Sequence, residues 1–346
     1  MHKINLLEYV STFFMIIMAP FLGMGLYNLL IKASIDSSIS VIIGYILSFA
    51  FLIIFIRIND YKSNLDLKDK INVLFKRSKL IIILFSIALF SMSLCLSYNI
   101  NNFIISQFLS ETPIIYTMII LGMLIIFINS KDITSIFRVS NFLFYINIIL
   151  IMIAIFGEYN KIELINMLPI LTNGINRPII GSVYILIFQI IYMFILLIIP
   201  KDNVSNNKHM NIGLIIAMTL AFILFLIIII YTIGSLGIDL AMKYHYPAYI
   251  VMKEVSIFGF IDKIENFIII HWVFEMFILL SLITYFINKL TNIKNYILVI
   301  LNIILCVIIF RNSTLYNTIT KVLIPISSTI ILIIIIMIYL KIKKTG

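Results

Sequence analysis

The residues able to do chemistry are few and sit in strongly apolar surroundings. His271, Trp272 and Glu275 interrupt the run Phe267-Ile268-Ile269-Ile270 and Phe277-Ile278-Leu279-Leu280. Residues four apart share a helix face, so the imidazole of His271 and the carboxylate of Glu275 can pair. Facing lipid would cost each of them several kcal/mol, which directs both inward. Such a pair can bind an ammonium group, relay protons or hold a coupling cation, or it can serve as a polar clasp between helices.

A second group lies near the start of the chain, in Ala19-Pro20-Phe21-Leu22-Gly23-Met24-Gly25. Proline removes a donor and clashes with the preceding turn, while glycine relaxes the backbone, so a helix through Pro20, Gly23 and Gly25 is expected to kink or unwind. Broken helices at the membrane midplane expose backbone groups to small solutes in many secondary transporters. A proline kink used only for packing is the other reading. Ser91, Cys95, Tyr98 and Asn102 recur at helical spacing as a stripe of small or polar side chains, which either lines a solute pathway or lets two helices approach. Gln189 and Tyr192 share a face of an otherwise apolar segment, and Gln189 is the only amide in its neighbourhood.

Enzyme constellations are missing from the sequence. It has no phosphate-binding glycine loop followed by Lys-Ser/Thr, no metalloprotease His-Glu spacing and no nucleophile elbow. His2, His209 and His245 are too scattered to form a ligand set, and Cys95 and Cys306 both fall in apolar runs, so no disulfide framework or metal cluster is expected. The expectation is a protein without catalytic residues, metal or cofactor.

The elements that position these residues must be membrane spans. The chain of 346 residues is 62% hydrophobic and 12% charged, with a mean hydropathy of +1.16, a surface no water-soluble domain tolerates. A spanning helix needs about 20 mostly apolar residues, because its backbone must satisfy itself away from water. The runs Leu6 to Ile31, Ile39 to Ile56, Leu80 to Ile105, Ile114 to Ile128, Val139 to Phe156, Ile179 to Ile199, Ile212 to Tyr231, Phe267 to Ile287, Tyr296 to Phe310 and Val322 to Leu340 meet or approach this test. They predict an all-α integral membrane protein of about ten transmembrane helices, residues 1–346 forming a single polytopic membrane domain. The apolar run from Leu6 is too long for a cleavable signal, so the first helix is expected to stay in place.

The formal net charge of +10 is explained by topology rather than by nucleic acid. With the N-terminus inside, roughly 17 of the 25 Lys and Arg residues fall on the cytoplasmic side, as the positive-inside rule asks of an arrangement with both termini cytoplasmic. The bilayer is thus the first partner. Two connections are long enough to carry structure. Asp60 to Lys79 has Leu67, Ile71, Leu74 and Phe75 at helical spacing with Lys68, Asp69, Lys70 and Lys76 elsewhere, which predicts a cytoplasmic interfacial amphipathic helix. Gly237 to Glu265, outside, is expected to form a helical loop over the bundle mouth, with Tyr244, Tyr246 and Tyr249 anchoring in the headgroup region.

Asp36 before a run of serines, Thr112-Pro113, Ile136-Phe137-Arg138, Leu168-Pro169 with Gly174, and Tyr246-Pro247 followed by Trp272 form an ordered set of local patterns, and the set resembles the membrane-embedded B subunit of bacterial spore germinant receptors, a family related to amino acid permeases. Asp36 within Ala33-Ser34-Ile35-Asp36-Ser37-Ser38-Ile39-Ser40 resembles the start of the family's second helix, with Ser38 where a tryptophan is usual. Thr112-Pro113 resembles the opening of the fourth helix, Ile136-Phe137-Arg138 the approach to the fifth, and Leu168-Pro169 with Gly174 the approach to the sixth. Tyr246-Pro247, then Phe260-Ile261-Asp262-Lys263-Ile264-Glu265, then Trp272 is similar to the family's most specific series. Gln189 stands where a Gly-Glu pair is expected.

The resemblance implies a permease-type five-plus-five inverted repeat with a central pocket between the first, third, sixth and eighth helices. It implies a small nutrient ligand of the amino acid class, with Pro20, Gly23, Gly25, Ser91, Tyr98, Gln189, Tyr192, His271 and Glu275 as candidate ligand-binding residues. It also implies a large A subunit and a lipoprotein C subunit as partners in the spore inner membrane. A secondary active transporter of amino acids or related solutes, and a membrane scaffold for other subunits, are the competing readings. An inverted repeat should break related helices in both halves, and in the sixth span Gly181 is the only residue that marks such a place.

Overall fold

The computed structural model describes residues 3–158, 162–172, 174–253, 265–310 and 312–345. Among them the regular elements are helical, and the one extended pairing is an isolated parallel bridge between Ile4 and Val204. In chain order the α-helices are α1 (Leu6–Met18), α2 (Leu26–Ala33), α3 (Ser37–Asp60), α4 (Leu67–Leu74), α5 (Ser78–Gln107), α6 (Ile114–Asn129), α7 (Ile133–Glu158), α8 (Asn176–Phe188), α9 (Met210–Leu236), α10 (Ile238–Ala241), α11 (Pro247–Lys253), α12 (Glu265–Thr291), α13 (Asn295–Ile309) and α14 (Ser313–Thr345).

Among the described residues, seven helical stretches are long and apolar enough to cross a membrane, and α6 and α13 are shorter apolar helices. The first stretch, Leu6–Asp60, is 55 residues long, far more than one bilayer crossing requires. It turns back at Ser34, where φ is +55°, and the return brings the ring of Phe55 on α3 within 6.3 Å of Phe13 on α1. Large apolar side chains point outward from the peripheral helices: Ile120 on α6, Phe142 on α7 and Ile308 on α13 are all exposed. That surface suits hydrocarbon and not water.

Two segments occupy the middle of the bundle. Residues 11–26 are buried without exception, and so are residues 188–199. The first covers the end of α1 and a π-helical turn, Phe21–Gly25, before α2. The second covers the end of α8 and a 3-10 segment, Ile190–Ile198. The remaining long helices pack around these two.

One face of the bundle is tied together by α4. Asp66 caps the helix, accepting from the Asp69 amide at 2.9 Å, and Leu67 and Ile71 are buried. Lys70 is a correction to the sequence reading, which put it on the polar face: it is fully buried. Its Nζ donates to the carbonyls of Ile58 (2.8 Å) and Asn59 (3.1 Å), two of the last-turn acceptors that α3 cannot satisfy internally. Burial pushes the Lys70 amine down to about 8, against the opposite pull of Asp60, Asp66 and Asp202. Lys68 donates to the Lys289 carbonyl at 2.9 Å, so the short helix joins the ends of α3 and α12. On the same face the Ile4 amide donates to Asn203 O at 2.9 Å and Lys201 pairs with Asp60 at 2.5 Å.

On the opposite face, Gly237 to Glu265 contributes α10 and α11, and residues 254–264 lie outside the described residues. The tyrosines there do not act alike. Tyr244 is exposed, whereas Tyr246 and Tyr249 are buried. Phe103 supplies the reason: its ring stands 4.8 Å from Tyr246 and 5.3 Å from Tyr249, drawing both into the bundle rather than to the headgroups.

Candidate functional site

The first break follows from its residues. Pro20 has no N–H, so the α-helical ladder stops after the bond from Ala19 N to Met15 O (3.0 Å). It resumes with one residue too many per turn: Gly25 N donates to Pro20 O at 2.9 Å, the i to i−5 pattern of a π-turn. The carbonyl of Ala19, just before Pro20, accepts from Trp272 Nε1 of α12 at 2.7 Å.

The two glycines are required by close approach, since neither has a positive φ. A Cβ on Gly23 would overlap Asn99 Oδ1 of α5 and come within 2.5 Å of the Trp272 ring. A Cβ on Gly25 would overlap Gln189 Nε2. The backbone of the first break therefore touches α5, α12 and the second break directly.

That second break carries no proline or glycine. The α-helix ends with Gln189 N donating to Ile185 O (3.0 Å), and the chain tightens into the 3-10 segment Ile190–Ile198. Gly181, the residue that marked the span in sequence, lies inside α8, where a Cβ would collide with Ser40 and Ala33. It serves the packing of α8 against α2 and α3. Carbonyls released at the break find distant donors: Ile187 O accepts from Ser328 Oγ of α14 (3.2 Å), and Leu196 O from Tyr9 Oη of α1 (3.3 Å).

Around the facing breaks stands a set of buried polar atoms with no hydrogen-bond partner among the described residues: Asn99 Oδ1, Gln189 Oε1 and the Tyr192 hydroxyl. Each is an acceptor or can act as one. Tyr316 of α14 closes the far side, donating to Cys95 O at 3.1 Å and reaching Met24 Sδ at 2.9 Å. Tyr98 stacks on Tyr316 with ring centroids 4.6 Å apart. Above the break, Tyr246 Oη donates to Asn99 O at 3.2 Å, and its ring lies 5.9 Å from Trp272. His271 lines a cavity of about 20 Å³ under this roof with Leu22, Phe103, Tyr246 and Trp272, room for a water and nothing larger.

Pro20, Gly23, Gly25 and Gln189 thus meet at the breaks, with Tyr192 on the second of them and Tyr98 just behind Tyr316. Ser91 does not join them: its hydroxyl meets Ser327 Oγ of α14 at 2.6 Å, beside an apolar groove on the outer surface between α5 and α14. Glu275 is fully buried one turn from His271, yet its hydrogen bond comes from Asn147 Nδ2 of α7 at 3.1 Å. Asn99, Tyr246 and Tyr316 belong to the surroundings but were not singled out by spacing. The dense amide run Ser97-Tyr98-Asn99-Ile100-Asn101-Asn102 inside an apolar helix was the available signal for Asn99.

Two interrupted helices facing each other at the centre of an all-helical bundle define a permease-type membrane protein. The chain belongs to the spore germination protein family, the spore permeases, which it matches over residues 7–321. It is 24% identical over 187 residues to spore germination protein A2 of Bacillus subtilis (strain 168), covering 51% of this chain and 48% of that protein. It is also 24% identical over 186 residues to spore germination protein KB of the same organism, with the same coverage. The matched region spans about half the length of these relatives. In fold it is similar to a manganese transporter of Eremococcus coleocola, with a TM-score of 0.64 over 94% of this chain and 76% of that one, at 13% identity.

Proposed function

We propose that this chain is the membrane subunit of a spore nutrient germinant receptor, and that a small germinant of the amino acid class binds between the two helix breaks. The observation that carries the reading is the convergence of unpartnered acceptors, Asn99 Oδ1, Gln189 Oε1 and Tyr192 Oη, on the segment where Gly23 and Gly25 bring the backbone close. Buried acceptors without donors are costly, and an ammonium group supplies up to three N–H donors. The free Gln189 carbonyl oxygen takes the role that a carboxylate would otherwise fill. The aromatic roof of Tyr246, Phe103 and Trp272 has to lift for a solute to enter, because the cavity these rings line with Leu22 and His271 admits no more than a water and is not lined by Asn99, Gln189 or Tyr192. Binding acts by favouring one state of this roof over another.

In this reading the chain makes ten passes, counting Leu6–Asp60 as two and adding α6 and α13, with both ends cytoplasmic. The α4 strap then faces the cytoplasm, where the exposed Lys76 and Lys79 that follow it suit an A or C subunit or anionic headgroups in the spore inner membrane. Spores carrying Gly25→Trp should lose the nutrient response at normal protein level; an unaltered response would refute the pocket. Secondary transport of amino acids is the second reading, favoured by the fold it shares with a transporter. Proteoliposomes separate them: saturable binding without accumulation marks a sensor, whereas gradient-driven accumulation marks a transporter.

A further inference from the structure

Glu275 stands apart from the breaks. It is 0% exposed, as is Asn147. Asn147 Nδ2 donates to Glu275 Oε1 at 3.1 Å and also contacts Met15 Sδ at 3.1 Å, so one amide joins α12 and α7 to α1 a turn before Pro20. Glu275 Oε2 and Asn147 Oδ1 have no hydrogen-bond partner among the described residues. A carboxylate this deep, with one hydrogen bond and no salt bridge among the described residues, is unstable as an anion.

We infer that Glu275 is a proton-binding site at the junction of α1, α7 and α12, independent of which solute the breaks receive. A bound proton sits on Oε2, the oxygen without a partner, and leaves Oε1 to accept from Asn147. A metal cation fits less well. The site offers two carboxylate oxygens, one amide oxygen and a thioether, and a hard cation such as Ca²⁺ takes 6–8 oxygen ligands.

The titratable groups on the elements packed around Glu275 are engaged elsewhere or out of reach. On α1, Glu8 pairs with Arg138 of α7 at 4.0 Å and Tyr9 donates to Leu196 O. Tyr145 of α7 is exposed. On α5, the Cys95 carbonyl accepts from Tyr316 and the Tyr98 ring stacks on it, and Cys306 of α13 contacts Leu94 O. Tyr192 of the 3-10 segment and Tyr249 of α11 belong to the breaks and the roof, Tyr116 of α6 and Tyr296 of α13 are exposed, and His271 lies a turn away on α12 itself. Among the described residues, the hydrogen bond that reaches Glu275 comes from Asn147.

Loss of the proton would place an anion beside Met15 and push α1 from α12 below the first break, which gives the site a means of coupling proton binding to the break's position. The test uses the full chain in nanodiscs. Infrared spectra at neutral pH should contain a protonated carboxyl C=O band that is absent from Glu275→Gln and insensitive to Glu8→Gln. The wild-type melting temperature should fall by several degrees as pH rises from about 5 through neutral, above the range where an unfolded glutamate ionises, while Glu275→Gln, which mimics the protonated state, lacks that fall. Asn147→Leu, which keeps the volume and removes the partner, should move the pH of that fall. Absence of the carboxyl band, or stabilisation by Na⁺, K⁺ or Ca²⁺ that Glu275→Gln abolishes, would overturn the assignment.

Discussion

The two helix breaks at the centre of the bundle have the same job and opposite origins. The first is written locally: Pro20 deletes a donor, and Gly23 and Gly25 admit neighbours where a Cβ would collide. The second has Gln189 followed by Ile190, Ile191 and Tyr192, residues that form helices without difficulty. Its interruption is held from outside, by Ser328 and Tyr9 on carbonyls at either end and by the Gln189 amide set against Gly25. A helix can be broken by its own chemistry or by its neighbours' hydrogen bonds, and only the former is visible in a single sequence.

That contrast can be broken or sharpened by substitution, starting with the most severe. Gly23→Leu forces a side chain into the space of Asn99 and Trp272 and should cost about 3 kcal/mol by overpacking, measured as lost thermal stability in detergent. Gly25→Ala should cost about 2 kcal/mol and be largely rescued by Gln189→Ala, because the clash is between those two residues. A double-mutant cycle with no coupling would show that the breaks do not depend on each other. Trp272→Phe removes the indole donor to the Ala19 carbonyl and should cost about 1.5 kcal/mol without changing the expression level. The smallest effect belongs to Ser328→Ala, roughly 0.5–1 kcal/mol, since Ser328 also bonds Ile324 O within its own helix; protease susceptibility near Gln189 should rise if Ser328 holds the second break.

Composition and helical spacing suffice for the membrane class and for the first break, because both are properties of contiguous residues. They also place Gln189 and Glu275 inside the bundle, since polar groups in apolar helices have nowhere else to go. What they could not give was contact between distant segments. Tyr246 and Tyr249 have the amphipathic character of headgroup anchors, and contacts with α5, more than a hundred residues away, turn them inward, the ring of Phe103 touching both. Lys70 follows the same logic: its spacing fits a solvated face, but the open carbonyls of Ile58 and Asn59 draw it under. Gly181 marked the sixth span in sequence and proved to serve packing, while the break fell eight residues later at Gln189.

The central claim is that the space between the breaks is where a germinant is received. The most direct measurement is a thermal-shift survey of the purified full chain against the common amino acids, wild type beside Gly25→Trp. The account predicts at least one amino acid that raises the wild-type melting temperature saturably and leaves Gly25→Trp unmoved, with the two ligand-free proteins both folded; an equal shift in both would contradict it.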